Sequence, residues 1–244
     1  MSIKDKVIAI TGAGSGIGRA TALHLASLGG RIVLGARREV QIASAAEEIQ
    51  TAGGQAVYRS TDVTRRTDLE TLVQLACEHY GRLDVLVNNA GIGPISQFDA
   101  LRVDDWDAMI DVNIKGVLYG IAAALPVFRR QEAGHIINVV STAGLKIVPT
   151  MGVYAATKNA VRTITEALRQ EAGPTLRVTE VSPGMIATSF ADSMTDEAVK
   201  LAIQERSKAI GISPDAIARG IAFAIEQPSD VDVGSIVIRP TAQD

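Results

Sequence analysis

A chain of 244 residues with a net charge of −3 has room for one large domain or two small ones, and it offers no basic face for nucleic acid. A single cysteine, Cys77, excludes an internal disulfide and fits a reducing compartment, so a cytoplasmic location is expected. The first apolar run is too short for a signal-peptide core and gives way at once to glycines.

That run, Val7 to Ile10, reads as a buried strand. It leads into Thr11-Gly12-Ala13-Gly14-Ser15-Gly16-Ile17-Gly18 and then a helical pattern through Ala26. Strand, glycines, helix is the order a pyrophosphate site requires. Glycine lets the backbone approach the ligand, and the helix N-terminus offers free N–H groups with a partial positive charge. The spacing is Thr-Gly-x-x-x-Gly-x-Gly rather than Gly-x-Gly-x-x-Gly, because Ile17 stands where the last glycine would fall. A merely flexible turn is the other reading.

The second strand, Arg31 to Leu34, ends in Gly35-Ala36-Arg37-Arg38. An acid about 20 positions beyond the glycine loop would hold the ribose hydroxyls of NAD, whereas an arginine suits the extra phosphate of NADP. Ala36 occupies that position and two guanidiniums follow, so NADP(H) is expected over NAD(H), unless Arg37 and Arg38 are only solvated loop charges.

Further apolar runs at 85–87, 136–140 and 236–238 read as buried strands, and Ala56-Val57-Tyr58 is strand-like. Alternation with amphipathic stretches predicts one α/β unit over 1–244 with no linker. Asp62 sits at a strand end or caps a helix starting near Arg66, and Asn88-Asn89-Ala90-Gly91 forms at least a turn. The uncharged stretch Gly116 to Phe128, which includes Pro126, suits a buried or interface helix rather than a membrane span. Residues 189–213 break the alternation and mix Phe190, Met194, Leu201 and Ile210 with charges, as expected of a lid over a cleft.

Tyr154 and Lys158 lie one helical turn apart, so phenol and ammonium can share a face, and Ser141 precedes them. A free phenol holds its proton to about pH 10, so it serves at neutrality only if a cation such as Lys158 favours the phenolate. Ser141 adds a hydroxyl that could hold a carbonyl oxygen. His24, His79 and His135 show no metal-ligand spacing, and Gly-x-Ser-x-Gly is missing, so neither a metal site nor a serine hydrolase is expected.

Taken in order, Thr11-Gly12 to Gly18, Asn88 to Gly91, Asn113, Ser141, Tyr154 to Lys158 and Pro183-Gly184 give a chain that resembles the short-chain dehydrogenase/reductase family over nearly its whole length. The resemblance implies a Rossmann-type, three-layer α/β/α fold with a doubly wound sheet of seven parallel strands. It makes Tyr154 the general acid in reduction and the base in oxidation. Lys158 is implied to lower the pKa of Tyr154 and bind the nicotinamide ribose, Ser141 to orient the substrate oxygen, and Asn113 to hold a water in a relay behind Lys158.

For the cofactor it implies Gly12, Gly14, Ser15, Gly16, Ile17 and Gly18 at the phosphates. Asp62 and Val63 fall to adenine, Asn89, Ala90 and Gly91 to the adenosine ribose, and Pro183, Gly184, Ile186 and Thr188 to the nicotinamide end. A homotetramer is implied, with a dimer as the alternative, and no membrane partner. Reduction of a 3-oxoacyl thioester on acyl carrier protein is one substrate reading, for which Arg129 and Arg130 are candidates for a basic docking surface. The tail Gly234 to Thr241 lacks the Asp-Gly-Gly ending of such reductases and looks more like the branch acting on small 3-hydroxy acids and assorted ketones. Leu145, Ile147, Val148, Gly184, Met185 and Phe190 are expected to line an apolar pocket. A catalytically silent NADP-binding regulator is a reading of another class, against which the presence of all four of Asn113, Ser141, Tyr154 and Lys158 argues. A sugar-nucleotide epimerase, which can share Tyr-x-x-x-Lys, is disfavoured by the glycine spacing and by chain length.

Overall fold

The computed structural model describes residues 2–243. Among them, seven strands form one parallel sheet in the order β3-β2-β1-β4-β5-β6-β7. The strands are β1 (Val7–Thr11), β2 (Arg31–Ala36), β3 (Gln55–Ser60), β4 (Val85–Asn88), β5 (Gly134–Val139), β6 (Leu176–Pro183) and β7 (Ser235–Ile238). The central strand β1 pairs on both sides, Ile8 lying opposite Ile32 and Val85.

Strand side chains alternate between two faces, and each face buries its own helices. Ile8, Ile10, Ile32, Leu34, Val85 and Val87 pack with α1 (Gly16–Ser27), α2 (Glu39–Thr51) and α8 (Asp215–Glu226). Val7, Ala9, Val33, Leu86 and Ile136 pack with α3 (Arg66–Tyr80) and α5 (Gly116–Gln131). The helix carrying Tyr154, α6 (Gly152–Glu171), joins that second layer through Val161, which meets Val117 and Val140.

Helix α4 (Val103–Met109) runs into α5 through a π-helical turn, Ile110–Lys115. By length and composition Val103–Gln131 is long and apolar enough to cross a membrane; 33% of its most apolar window is buried, and α5 packs with that side on β4 and β5. Leu118 and Ile110 remain on its exposed side, which fits an interface helix.

Strand β6 is not an apolar run. Thr179, Glu180 and Ser182 are buried on it because each finds a partner: Thr179 with His135 Nε2 at 2.8 Å, Ser182 donating to Glu180 at 2.7 Å, and Arg162 beside Glu180 at 3.4 Å. Residues 189–213 fold as a short 3₁₀ turn, Ser189–Ser193, and helix α7 (Glu197–Ile210), which buries none of its own residues.

Candidate active site

In a doubly wound sheet the chain leaves β1 and β4 in opposite directions, which opens a crevice at their carboxyl ends. A cleft of about 1590 Å³ lies there, bounded by the segments that follow all seven strands. Gly12, Gly14, Ser15, Gly16 and Ile17 line it after β1, Arg37 and Arg38 after β2, Asp62 and Val63 after β3, and Asn89, Ala90 and Gly91 after β4. Ser141 lines it after β5, with Tyr154 and Lys158 from α6, and Pro183, Gly184, Ile186 and Thr188 after β6. The pocket residues expected beside them, Leu145, Ile147, Val148, Met185 and Phe190, are there too.

Two expected residues lie outside the cleft. Gly18 is a packing position: a side chain on it would overlap the Gly12 carbonyl and the Asn89 amide. Asn113 is wholly buried, held by the π-helical turn, with Oδ1 accepting from Ile92 N–H at 2.9 Å and Nδ2 donating to the Ile92 carbonyl at 2.9 Å and Thr157 Oγ1 at 3.1 Å. It fixes the segment that follows β4 from behind. A side chain on Gly91 would stand 3.3 Å from Lys158 Nζ and 3.4 Å from Asn113 Oδ1, so Gly91 is the thin wall between them.

The glycine loop is shaped partly by protein and partly by the space left for a ligand. Gly12 has φ +65° and carries the Asn89 side chain, whose Nδ2 donates to the carbonyls of Thr11 at 2.9 Å and Gly12 at 3.3 Å. Thr11 Oγ1 accepts from the N–H groups of Asn89 at 3.0 Å and Ala90 at 3.1 Å. The Asn89 amide nitrogen and backbone N–H are thus both committed to the loop. Ser15 precedes α1 without a side-chain cap, so the first N–H groups of that helix are not taken up by one and open on the cleft. This donor set fits a dinucleotide pyrophosphate. Asp62 is not the cap of α3, which begins after Arg65; its carboxylate accepts from Thr64 N–H at 3.0 Å and Thr64 Oγ1 at 2.8 Å.

At the other end, Ser141 stands where β5 stops, its Oγ accepting from Ala143 N–H at 3.1 Å. Tyr154 is 9% exposed and Lys158 5%. Burial pushes the phenol up to about 12, and the neighbouring Ser141 hydroxyl pulls it only partly back. Burial also brings the Lys158 ammonium down to about 8. That ammonium lies 5.9 Å from the ring centroid of Tyr154 and donates to the Val139 carbonyl at 3.1 Å. At the phenol desolvation is the larger influence, and the hydroxyl of Ser141 is the group that favours the phenolate.

Phe190 forms a wall beside the phenol, ring centroids 5.7 Å apart. It can sit there because Gly93 has no side chain; one on Gly93 would overlap the Phe190 ring. Ser193 Oγ pins this wall by accepting from Gly93 N–H at 3.1 Å. Sequence reasoning missed Gly93, Ser193, Thr142, Arg239 and Gln243, the last four of which line the cleft. None belongs to a local pattern, and only the fold brings them together. Among the described residues, no group of three or more His, Cys, Asp or Glu could hold a metal ion.

A parallel α/β fold with an uncapped helix N-terminus at one end of a cleft and Tyr154, Ser141 and Lys158 at the other defines a nucleotide-dependent oxidoreductase scaffold. Residues 6–198 match the family model described as short chain dehydrogenase. An uncharacterized oxidoreductase of Listeria monocytogenes is 48% identical, the match covering 100% of this chain and 99% of the relative. Among solved structures, a short-chain dehydrogenase/reductase from Burkholderia phymatum in complex with NAD matches at 30% identity and TM-score 0.90, over 97% of this chain and 90% of that one. The closed form of serine dehydrogenase complexed with NADP+ matches at 27% identity and TM-score 0.90, over 98% and 96%. The chain belongs to the short-chain dehydrogenase/reductase family and is an oxidoreductase of that family.

Proposed function

We propose that this protein is an NADP-dependent oxidoreductase that interconverts a secondary alcohol and its ketone or aldehyde, on a small carbonyl compound or 3-hydroxy acid. The observation that carries the reading is the meeting of Tyr154, Ser141 and Lys158 in the same cleft as the open N-terminus of α1. The dinucleotide, when bound, supplies the hydride. The chain's own residues do the rest. N–H groups of the glycine loop and α1 hold the pyrophosphate, and Lys158 holds the nicotinamide ribose. Ser141 orients the carbonyl oxygen, and Tyr154 gives its phenolic proton to that oxygen as negative charge gathers there. A phenol pushed up to about 12 keeps its proton at neutral pH, so it stands ready as an acid for carbonyl reduction. Asn113 serves as a positioning residue, holding the Gly91–Ile92 backbone against Lys158.

NADP preference is supported by Ala36 in place of an acid, with Arg37 and Arg38 exposed at that end of the cleft. Because a solved relative of similar fold carries NAD, this preference rests on these residues and not on the fold. A small, 3-hydroxy-acid-like substrate is supported by the likeness to serine dehydrogenase. Residues 189–213 act as a lid, with Phe190 and Met194 facing the cleft. The exposed apolar side of α5 fits a subunit contact, and we assign a homotetramer, which light scattering should show as four times the 25.7 kDa chain mass; a monomer would overturn it. A single cysteine, which allows no internal disulfide, supports a cytoplasmic location.

The direct test follows NADPH and NADH absorbance in parallel against keto acids, keto esters, cyclic ketones and a 3-oxoacyl thioester. Oxidation of NADPH with a small keto acid is the expected result. Tight NADPH binding with no turnover on any carbonyl would instead select the silent regulator, and turnover confined to the thioester would select the acyl-carrier reductase.

A further inference from the structure

The segment after β7 folds back onto the substrate end of the cleft, and one side chain in it makes two bonds there. Gln243 Oε1 accepts from Met185 N–H at 2.7 Å, and its Nε2 donates to Thr142 Oγ1 at 3.2 Å. The Met185 N–H can only donate, so it fixes which end of the amide is the oxygen. Thr142 follows Ser141 and Met185 follows Gly184. A single amide therefore ties the loop after β5 to the loop after β6. The seat is close: a side chain on Gly184 would overlap Gln243 Oε1 and stand 2.6 Å from Arg239 Cβ.

We propose that Gln243 is a positioning residue for the reaction, clamping the Ser141 loop against the Gly184–Thr188 loop so that the Ser141 hydroxyl is held beside the phenol of Tyr154. Gln243 touches neither the reacting carbon nor the phenol in this scheme; it acts through Thr142 and Met185. The inference rests on the carbonyl-reducing reading above. It assigns to the segment after the last strand a share in the site that the glycine loop and α6 do not supply. Reaction geometry is sensitive to such supports, since a displacement of about 1 Å at the reacting atoms can cost roughly 100-fold in rate.

The test compares wild type with Gln243→Met, Gln243→Glu and Thr142→Val. Gln243→Met keeps the length of the side chain and loses both bonds. Gln243→Glu keeps an acceptor for Met185 and can accept from a rotated Thr142 hydroxyl, so it should restore most of the function. For Gln243→Met, kcat/KM in carbonyl reduction should fall about tenfold or more, chiefly in kcat, while the NADPH dissociation constant measured by fluorescence stays within about twofold. Amide exchange at Met185 should accelerate in the same variant, a readout that needs no turnover. Thr142→Val should lower kcat in the wild-type background and cost nothing further on top of Gln243→Met. With an active wild type, unchanged kcat/KM in both Gln243→Met and Thr142→Val, or unchanged Met185 exchange, would overturn the clamp. A wild type inert toward every carbonyl would instead remove the functional reading itself, and this inference with it.

Discussion

Burial sets the chemistry of the two ionisable groups at the centre of the site, and each leaves a mark on stability. Lys158 sits at 10.5 in an unfolded chain and at about 8 in the fold. Between those values the unfolded chain binds more protons, so stability rises with pH across that window. At neutral pH the buried ammonium costs about 3 kcal/mol, which Lys158→Met should recover while losing NADPH affinity and turnover. Urea midpoints at about pH 7 and about pH 9.5 check this: wild type should gain stability between them and the variant should not. Tyr154 acts with the opposite sign, because its folded value of about 12 exceeds the ordinary 10 and stability is lost as pH climbs from 10 to 12.

The guanidiniums at the adenosine end give a second test on single residues. Charge-assisted hydrogen bonds contribute about 1.5–3 kcal/mol. Arg37→Ala with Arg38→Ala should therefore weaken NADPH binding by roughly 10- to 100-fold and leave NADH binding nearly unchanged. Equal losses for both dinucleotides in a titration would refute NADP preference.

At the scale of elements, the sheet and its helices were legible because buried parallel strands read as apolar runs, and β1, β2, β4 and β5 do; β7 reads as such a run too, but at the sheet edge it buries none of its residues, against the expectation of a buried strand at 236–238. Strand β6 was not, since Thr179 on one face and Glu180 and Ser182 on the other interrupt the apolar run, and His135 of β5 and Arg162 of α6, which partner Thr179 and Glu180, leave no local trace. Helix α7, proposed above as part of a lid, is a different case. It buries none of its own residues, so its N-cap counts for more than usual: Asp196 Oδ1 accepts from Ala198 N–H at 3.1 Å and Val199 N–H at 3.2 Å. Arg102 adds a bond to Thr195 Oγ1 at 3.2 Å, linking this cap to the start of α4. Loss of such a cap costs about 1 kcal/mol locally. Asp196→Ala should speed amide exchange across 197–210 and raise KM for the carbonyl several-fold with kcat and Tm little changed. A global loss of stability, or an unaltered KM, would show that α7 is no lid.

Across the whole molecule, seven carboxyl ends point at one crevice, and this explains how residues from Gly12 to Gln243 come to share it. The residues near the start of that set were readable because a glycine loop and a Tyr-x-x-x-Lys pair are local patterns. Gln243 and Thr142 were not readable, being 101 positions apart with nothing in either neighbourhood to announce the other. Gly18 was readable as part of a motif, yet its cause is the Asn89 side chain packed between the loop and α1.

In the proposed function the fold brings a dinucleotide and a carbonyl to one buried phenol, and that is the claim on which everything else turns. A positioned general acid contributes about 10²- to 10⁴-fold to rate. The most direct measurement is NADPH oxidation by Tyr154→Phe, with dinucleotide affinity read in the same sample. Turnover should drop by roughly that factor while the NADPH dissociation constant stays within about twofold, because the phenyl ring preserves the packing against Phe190. Turnover near the wild-type rate in Tyr154→Phe would contradict the account, since the proton would then come from another group.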